Sequence, residues 1–266
     1  MNPRQIRLII SDLDQTLLHQ DKSVSAYSYD VLRRCQQAGY LVGLATARSE
    51  PSARELLPGL APDVIISSGG ALARSGEKEW FSKTLSPAQS EHILTCAAHA
   101  PDVGKITAHV KEGVYWNLPA DSRRPPGYAH HRQYDFTVPF LRETYCMTIA
   151  TKNGAWARAL AAGLEDCEHI EYTGENLHRF GRAGADKASA LRACCQALGI
   201  GLEAVLAFGD DVNDVDMLAA CPLGVAVANA VPAAQAAAHL VLPLTNQEDG
   251  VAQYLDAVLL RPLREA

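Results

Sequence analysis

Long apolar runs, C-x-x-C cysteine pairs and any surplus of basic charge are all missing from this 266-residue chain. Each absence excludes a class of protein. Near the N-terminus the short run Ile6 to Ile10 stops at Ser11 and Asp12, which fits neither a secretory signal nor a membrane span. Seven cysteines, Cys35, Cys96, Cys146, Cys167, Cys194, Cys195 and Cys221, form no framework spacing, and their odd number fits reduced thiols in a cytoplasmic setting. Lys and Arg total 24 against 30 Asp and Glu, a net charge of −6, so the basic stripe that neutralises a nucleic-acid backbone is absent. Neither G-x-G-x-x-G nor the Walker pattern follows a strand, which argues against a dinucleotide or P-loop site.

What remains is an ordinary folded composition, 48% hydrophobic and 20% charged, on a chain long enough for one or two domains at a prior of roughly 150 residues each. Apolar runs at Ile6 to Ile10, Leu41 to Ala45 and Val64 to Ile66 read as strands. Ala26 to Ala38 reads as a helix capped by Ser25 and stopped by Gly39, with Tyr27, Val31, Cys35 and Ala38 on one face. A helix after Asp186, carrying Ala188, Leu191, Cys195 and Leu198, stops at Gly199. Strands then recur at Val205 to Phe208, Gly224 to Val227 and Leu240 to Leu242, separated by helices near Asp214 to Ala220 and Pro232 to Ala238, with a last helix from Glu248 to Leu260. Alternation of strand and helix predicts an α/β fold with a doubly wound parallel sheet, covered on both faces.

Thr84 to Gly181 breaks that pattern. Helices at Pro87 to Ala98 and Ala155 to Ala162 sit among strand-like stretches at Ile106 to Val110, Val114 to Asn117, Tyr145 to Thr151, Ile170 to Tyr172 and Leu177 to Phe180. The expected organisation is a core of residues 1–83 and 182–266 interrupted by an inserted α+β domain, 84–181. The stretch Ser122 to Arg132, with Pro125, Pro126 and Gly127 among basic residues, is expected to be an exposed loop.

In an open parallel sheet, ligands bind beyond the carboxyl ends of the strands. The residues that follow each run there are polar: Asp12 and Asp14, Thr46, Ser67 to Gly69, then Asp210, Asp211, Asn213 and Asp214, with Asn229, Asn246 and Asp249 after the last two strands. Four converging acids repel unless a cation balances them, and hard oxygen ligands favour Mg2+, with Asp12 and Asp210 suited to direct ligation and Asp214 behind them. A metal that prefers carboxylates, water and phosphate oxygens points to a phosphate substrate.

Asp12-Leu13-Asp14-Gln15-Thr16, Thr46, Lys187 and Gly209-Asp210-Asp211-Val212-Asn213-Asp214 resemble, in order and spacing, the four motifs of the haloacid dehalogenase superfamily. The long insertion between Thr46 and Lys187, with Ala228-Asn229-Ala230 and Asn246 to Val251, is similar to Cof-type phosphatases carrying a type II cap, subclass B. The resemblance covers nearly the whole chain and implies a Mg2+-dependent phosphatase acting on a small organic phosphate such as a sugar phosphate or a phosphorylated cofactor. It implies Asp12 as nucleophile, Asp14 as acid and base with its backbone carbonyl on the metal, and Thr46 and Lys187 on the phosphoryl group. Asn213 would orient the phosphate, and Asp210 and Asp214 would seat the metal. Three positions depart from the family pattern: Gln15 and Ala47 stand where Gly is usual, and Gly69 where Asn is usual.

Two other functions fit parts of this pattern. Phosphoryl transfer to a sugar, as in a mutase, uses the same chemistry with a different acceptor. A phosphoacceptor signalling or binding module shares the strand-end acids, Thr and Lys but needs no inserted domain of about a hundred residues. Cys194 and Cys195 read as core packing, His130 and His131 lack metal-ligand spacing, and Arg123, Arg124 and Arg132 read as a solvated loop before a site for a second anion. Oligomeric state leaves no trace in the string.

Overall fold

The computed structural model describes residues 5–119, 124–172 and 176–264. Strand β1 (Leu8–Ser11) shows why the sheet is wound on both faces. Side chains alternate along a strand, so Leu8 and Ile10 join one apolar cluster while Ile9 joins another on the opposite side. Both clusters are buried because helices cover both faces. Helix α1 (Ala26–Gln37) supplies Val31, Leu32 and Cys35 to the Ile9 side. Helix α5 (Lys187–Leu198) supplies Ala188, Leu191, Cys194 and Cys195 to the Leu8 side.

The core sheet has eight strands in the order β14-β13-β12-β1-β2-β3-β4-β5. Six are parallel: β14 (Leu240–Val241), β13 (Leu223–Ala226), β12 (Val205–Gly209), β1, β2 (Leu41–Ala45) and β3 (Val64–Ser67). Antiparallel pairing closes one edge with a hairpin, β4 (Leu72–Ser75) and β5 (Lys78–Ser82). A second sheet, ordered β10-β11-β9-β6-β7-β8, takes its strands from Val103 to Arg182. These are β6 (Val103–Val110), β7 (Gly113–Trp116), β8 (His131–Gln133), β9 (Cys146–Thr151), β10 (Cys167–Tyr172) and β11 (Leu177–Arg182). Helices α3 (Pro87–His99) and α4 (Gly154–Ala162) pack on one apolar cluster with it, through Ile93, Leu94, Ala157 and Ala161.

Several local expectations change. Tyr27 is exposed and so is Ala38, because one lies in the first turn of α1 and the other is its C-terminal cap; Leu32 takes the buried place instead. A short helix α2 (Glu50–Leu56) follows β2, capped by Ser49 with a proline at its start. The last helix is interrupted: α8 (Gly250–Leu255) passes into a π-type turn over Asp256–Leu260. The end of the expected exposed loop is a strand, since β8 pairs with β7 and buries His131. Arg123 lies outside the described residues.

Candidate active site

Two neighbouring parallel strands deliver the acids. The backbone N–H of Asp12 donates to the Phe208 carbonyl at 3.0 Å, so the β1 ladder runs one residue past the strand and sets Asp12 beside the end of β12, where Asp210 follows. Asp186 caps α5 by accepting from the Ser189 N–H, which makes Lys187 its first residue. Lys187 is 1% exposed, and its Nζ donates to Asp12 Oδ1 at 2.6 Å and to Asp214 Oδ1 at 2.7 Å. The other oxygen of Asp214 accepts from the backbone N–H groups of Asp210 and Asp211, both at 3.1 Å. Asp214 therefore has both oxygens committed and orders the loop that carries Asp210.

The loop after Asp12 is tied to the same cluster. Thr16, Leu17 and Leu18 all donate backbone N–H groups to the Leu13 carbonyl, a compact turn that forces Gln15 to φ +60. This is the left-handed region that a glycine would occupy freely. Asn229 braces it by donating from Nδ2 to the Gln15 carbonyl at 2.8 Å, and Asn246 Nδ2 donates to the Leu18 carbonyl at 2.7 Å. Asp249 Oδ1 accepts from Ser28 Oγ at 2.9 Å. These three strand-end residues hold loops. Thr16 Oγ1 donates to Asp210 Oδ1 at 2.7 Å, linking the loop of β1 to that of β12.

Carboxylate oxygens of Asp12, Asp210 and Asp214 lie within 4.8 Å of one another. Burial pushes the Asp12 carboxyl well up, opposed by Lys187 and reinforced by Asp214 and Asp210. Burial, then Asp214, pushes Asp210 up to about 7. Burial alone would lower the Lys187 ammonium, but Asp12 and Asp214 more than offset it, so it stays protonated. With all three carboxyls ionised, one ammonium leaves two negative charges over in an all-oxygen donor set, and the raised Asp12 and Asp210 express the cost of that excess when nothing balances it. That is the charge and chemistry of a divalent-cation site.

Asp14 is placed differently. Its Oδ2 accepts from Arg48 Nε at 2.6 Å, and its Oδ1 accepts from both Arg48 and Lys22 at 2.8 Å. Burial pushes the Asp14 carboxyl up, but the Arg48 and Lys22 charges outweigh it and hold it at about 2. Arg48 was not singled out from the sequence, although it stands two residues past Thr46. Thr46 is fully buried, and its Oγ1 accepts from the Arg48 N–H at 3.1 Å, so the threonine aims the arginine.

Asp12, Asp14, Asp210, Asp211 and Asn213 line a cavity of about 400 Å3, roofed by Lys105, Thr107, His109, His131 and Tyr172 of the second sheet and by Tyr128 from the segment before β8. Thr46, Lys187 and Asp214 sit behind its wall. Asp211 caps the 3-10 turn Val212–Asp214, accepting from the Val212 N–H. His130 stays exposed near Glu55, and Arg124 and Arg132 are exposed. Cys194 and Cys195 are both buried in the core.

Fold and site together define a strand-end carboxylate enzyme of the doubly wound α/β kind, its acids roofed by an inserted sheet. Residues 9–255 match the model of the haloacid dehalogenase-like hydrolases. The chain is 28% identical over 290 residues to the pyridoxal phosphate phosphatase YbhA of Escherichia coli, covering 96% of this chain and 99% of that protein. It is 30% identical over 257 residues to the phosphoglycolate phosphatase of Methanopyrus kandleri, covering 95% and 97%. The solved structure of a haloacid dehalogenase-like hydrolase from Bacillus subtilis superposes with a TM-score of 0.82 at 22% identity, covering 96% of this chain and all of the other, a likeness of fold. The chain belongs to the haloacid dehalogenase-like hydrolases, and it is a phosphatase of that superfamily. No helix among the described residues is long and apolar enough to cross a membrane.

Proposed function

We propose that this phosphatase hydrolyses a small organic phosphate monoester, with Mg2+ bound, through a phosphoryl group carried on Asp12. The observation that carries the reading is the buried cluster in which Lys187 bridges Asp12 and Asp214 beside Asp210. Its excess negative charge and oxygen donors fit Mg2+, which Asp12, Asp210 and the backbone carbonyl of Asp14 would hold, with Asp214 orienting Asp210. When bound, the ion supplies a positive charge that draws a phosphoryl oxygen in and offsets its charge.

Asp12 has one oxygen fixed by Lys187 and attacks phosphorus with the other; the ester P–O bond breaks, and Asp14, which takes a proton from solvent on leaving Arg48, passes it to the departing oxygen. Water, deprotonated by Asp14, then attacks phosphorus, the bond to Asp12 breaks, and its carboxylate returns. Asn213 positions a phosphoryl oxygen, Thr46 acts from behind the wall by holding Arg48, and Lys187 offsets charge on the transferring group. Asp14 must leave Arg48 to act, which couples catalysis to a rearrangement of that pair.

Residues 84–181 form the cap that selects the leaving group. The cavity's size suits molecules such as those named for the relatives, pyridoxal phosphate and phosphoglycolate. Seven unpaired cysteines, five of them buried, suit a reducing cytoplasm. Asp12→Asn is expected to lower kcat at least a thousandfold on any phosphate ester, and EDTA to abolish wild-type release of phosphate. Turnover of Asp12→Asn at the wild-type rate would overturn the nucleophile assignment.

A further inference from the structure

Among the described residues, the acids lining the cavity all follow strands of the core sheet, and the roof contributes no carboxylate. Of the cations that line it, Lys22 and Arg48 are both committed to Asp14. Lys105, on β6, is different: half-buried, it lies 5.2 Å from the centre of the Tyr128 ring, and no carboxylate pairs with it among the described residues. Elsewhere along the cavity the roof carries further hydrogen-bonding groups. Tyr172 Oη and His131 Nδ1 are buried and have no hydrogen-bond partner among the described residues, and both residues line the cavity. Thr107 and Thr148 share a hydrogen bond between their hydroxyls at the same surface. Burial keeps the His109 and His131 imidazoles neutral near pH 7, so Lys105 is the only side chain of the described roof that carries charge there.

Buried polar atoms without partners are costly, and an ammonium with no counter-charge in a half-closed cavity attracts an anion strongly because water screens it poorly. The phosphoryl group itself belongs at the opposite wall, by Asp12. We propose that Lys105 binds a second oxyanion on the leaving group, so that the preferred substrate is a phosphate ester bearing a further carboxylate or phosphate. This inference rests on the phosphatase reading of the site, and it narrows the substrate class that reading leaves open.

Calorimetric titration of the metal-loaded full chain tests it without turnover. Propylphosphonate, 3-phosphonopropionate and 1,3-propylenediphosphonate share one chain length and one phosphonate, and differ only in the far end. The wild type is expected to bind at least one of the latter two about tenfold more tightly than propylphosphonate, as one charge-assisted hydrogen bond allows. Whether carboxylate or phosphonate gains more identifies the source of the oxyanion. Lys105→Gln is expected to erase the ratio and Lys105→Arg to keep most of it, whereas a merely structural role would shift all three ligands together. Equal affinities in the wild type, or an unchanged ratio in Lys105→Gln, would overturn the proposal while leaving Asp12 chemistry intact. Failure of all three phosphonates to bind would overturn it together with the phosphate site.

Discussion

Arg48 grips both carboxylate oxygens of Asp14, one through Nε at 2.6 Å and the other through a terminal nitrogen at 2.8 Å. Two parallel charge-assisted hydrogen bonds of this kind favour the ionised carboxyl. The residue proposed to give a proton to the leaving group is thus stored in its deprotonated form, and releasing it is part of the cycle.

Arg48→Gln should therefore raise the protonated fraction of Asp14. An alkyl phosphate needs an acid for its leaving oxygen, whereas p-nitrophenyl phosphate does not. The ratio of kcat/KM for the alkyl over the aryl ester is expected to rise severalfold in the variant, whatever happens to binding of both. A ratio equal to that of the wild type would separate Arg48 from the acid step.

Lys187 is the sole cation bonded to the buried cluster among the described residues. Lys187→Met leaves Asp12 and Asp214 without it, and removing one partner of a buried pair typically costs about 3–5 kcal/mol. Urea titration at neutral pH should show a loss of that order, partly recovered on adding Mg2+, which binds only the folded chain. Stability equal to the wild type would mean that the carboxylates are neutral without Lys187.

The layered fold and the acids were legible because each obeys a local rule. Period-two burial wrote Leu8, Ile9 and Ile10 onto both faces of a sheet, and polar residues directly after such runs marked the site. Arg48 and Lys105 were not legible, since an arginine matters here through a carboxylate thirty-four positions away and a lysine through the lack of one. The β4–β5 hairpin was missed because Lys78 to Ser82 is mostly exposed and reads as polar, and α2 because Pro51 and two serines resemble a loop. Gln15 shows a further limit. Its strained φ is held by Asn229, a partner that only the folded chain brings near.

Gly69 stands where a side chain is usual in the family, and the structure supplies the reason. A Cβ there would meet Arg179 Nε at 2.4 Å, and φ at this position is +71. Arg179, 1% exposed on β11, uses that space to donate to the carbonyls of Ser68 and Ala185, at 3.2 and 2.8 Å, tying the second sheet to the core. Gly69→Ala is expected to cost about 1–3 kcal/mol, from both crowding and backbone strain. In Arg179→Met the crowding part should shrink, giving a favourable coupling of roughly 0.5–2 kcal/mol in a double-mutant cycle read by urea unfolding. Strict additivity would show that the two residues do not compete for that space.

His109 and His131 give the fold a defined acid sensitivity. Burial, with Arg179 and Lys105 nearby, lowers His109 to about 4; burial, with His109 and Lys105, lowers His131 to about 3. Both titrate near 6.5 in the unfolded chain, about the usual value. Above that pH neither state binds the protons and the histidines add no pH dependence. As pH falls from about 6.5 towards 4 the unfolded chain takes up protons that the folded chain refuses, so stability drops by about 1 kcal/mol per pH unit for each histidine. Urea titrations of the wild type and of His109→Gln/His131→Gln at pH 7 and pH 5 should show a smaller loss in the variant by roughly 3–4 kcal/mol. The direction is opposite to that of a histidine stabilised by a carboxylate, whose stability grows on acidification. An equal loss in the two proteins would mean that both imidazoles accept protons in the folded chain as readily as in the unfolded one, and that the roof carries more positive charge than Lys105 alone.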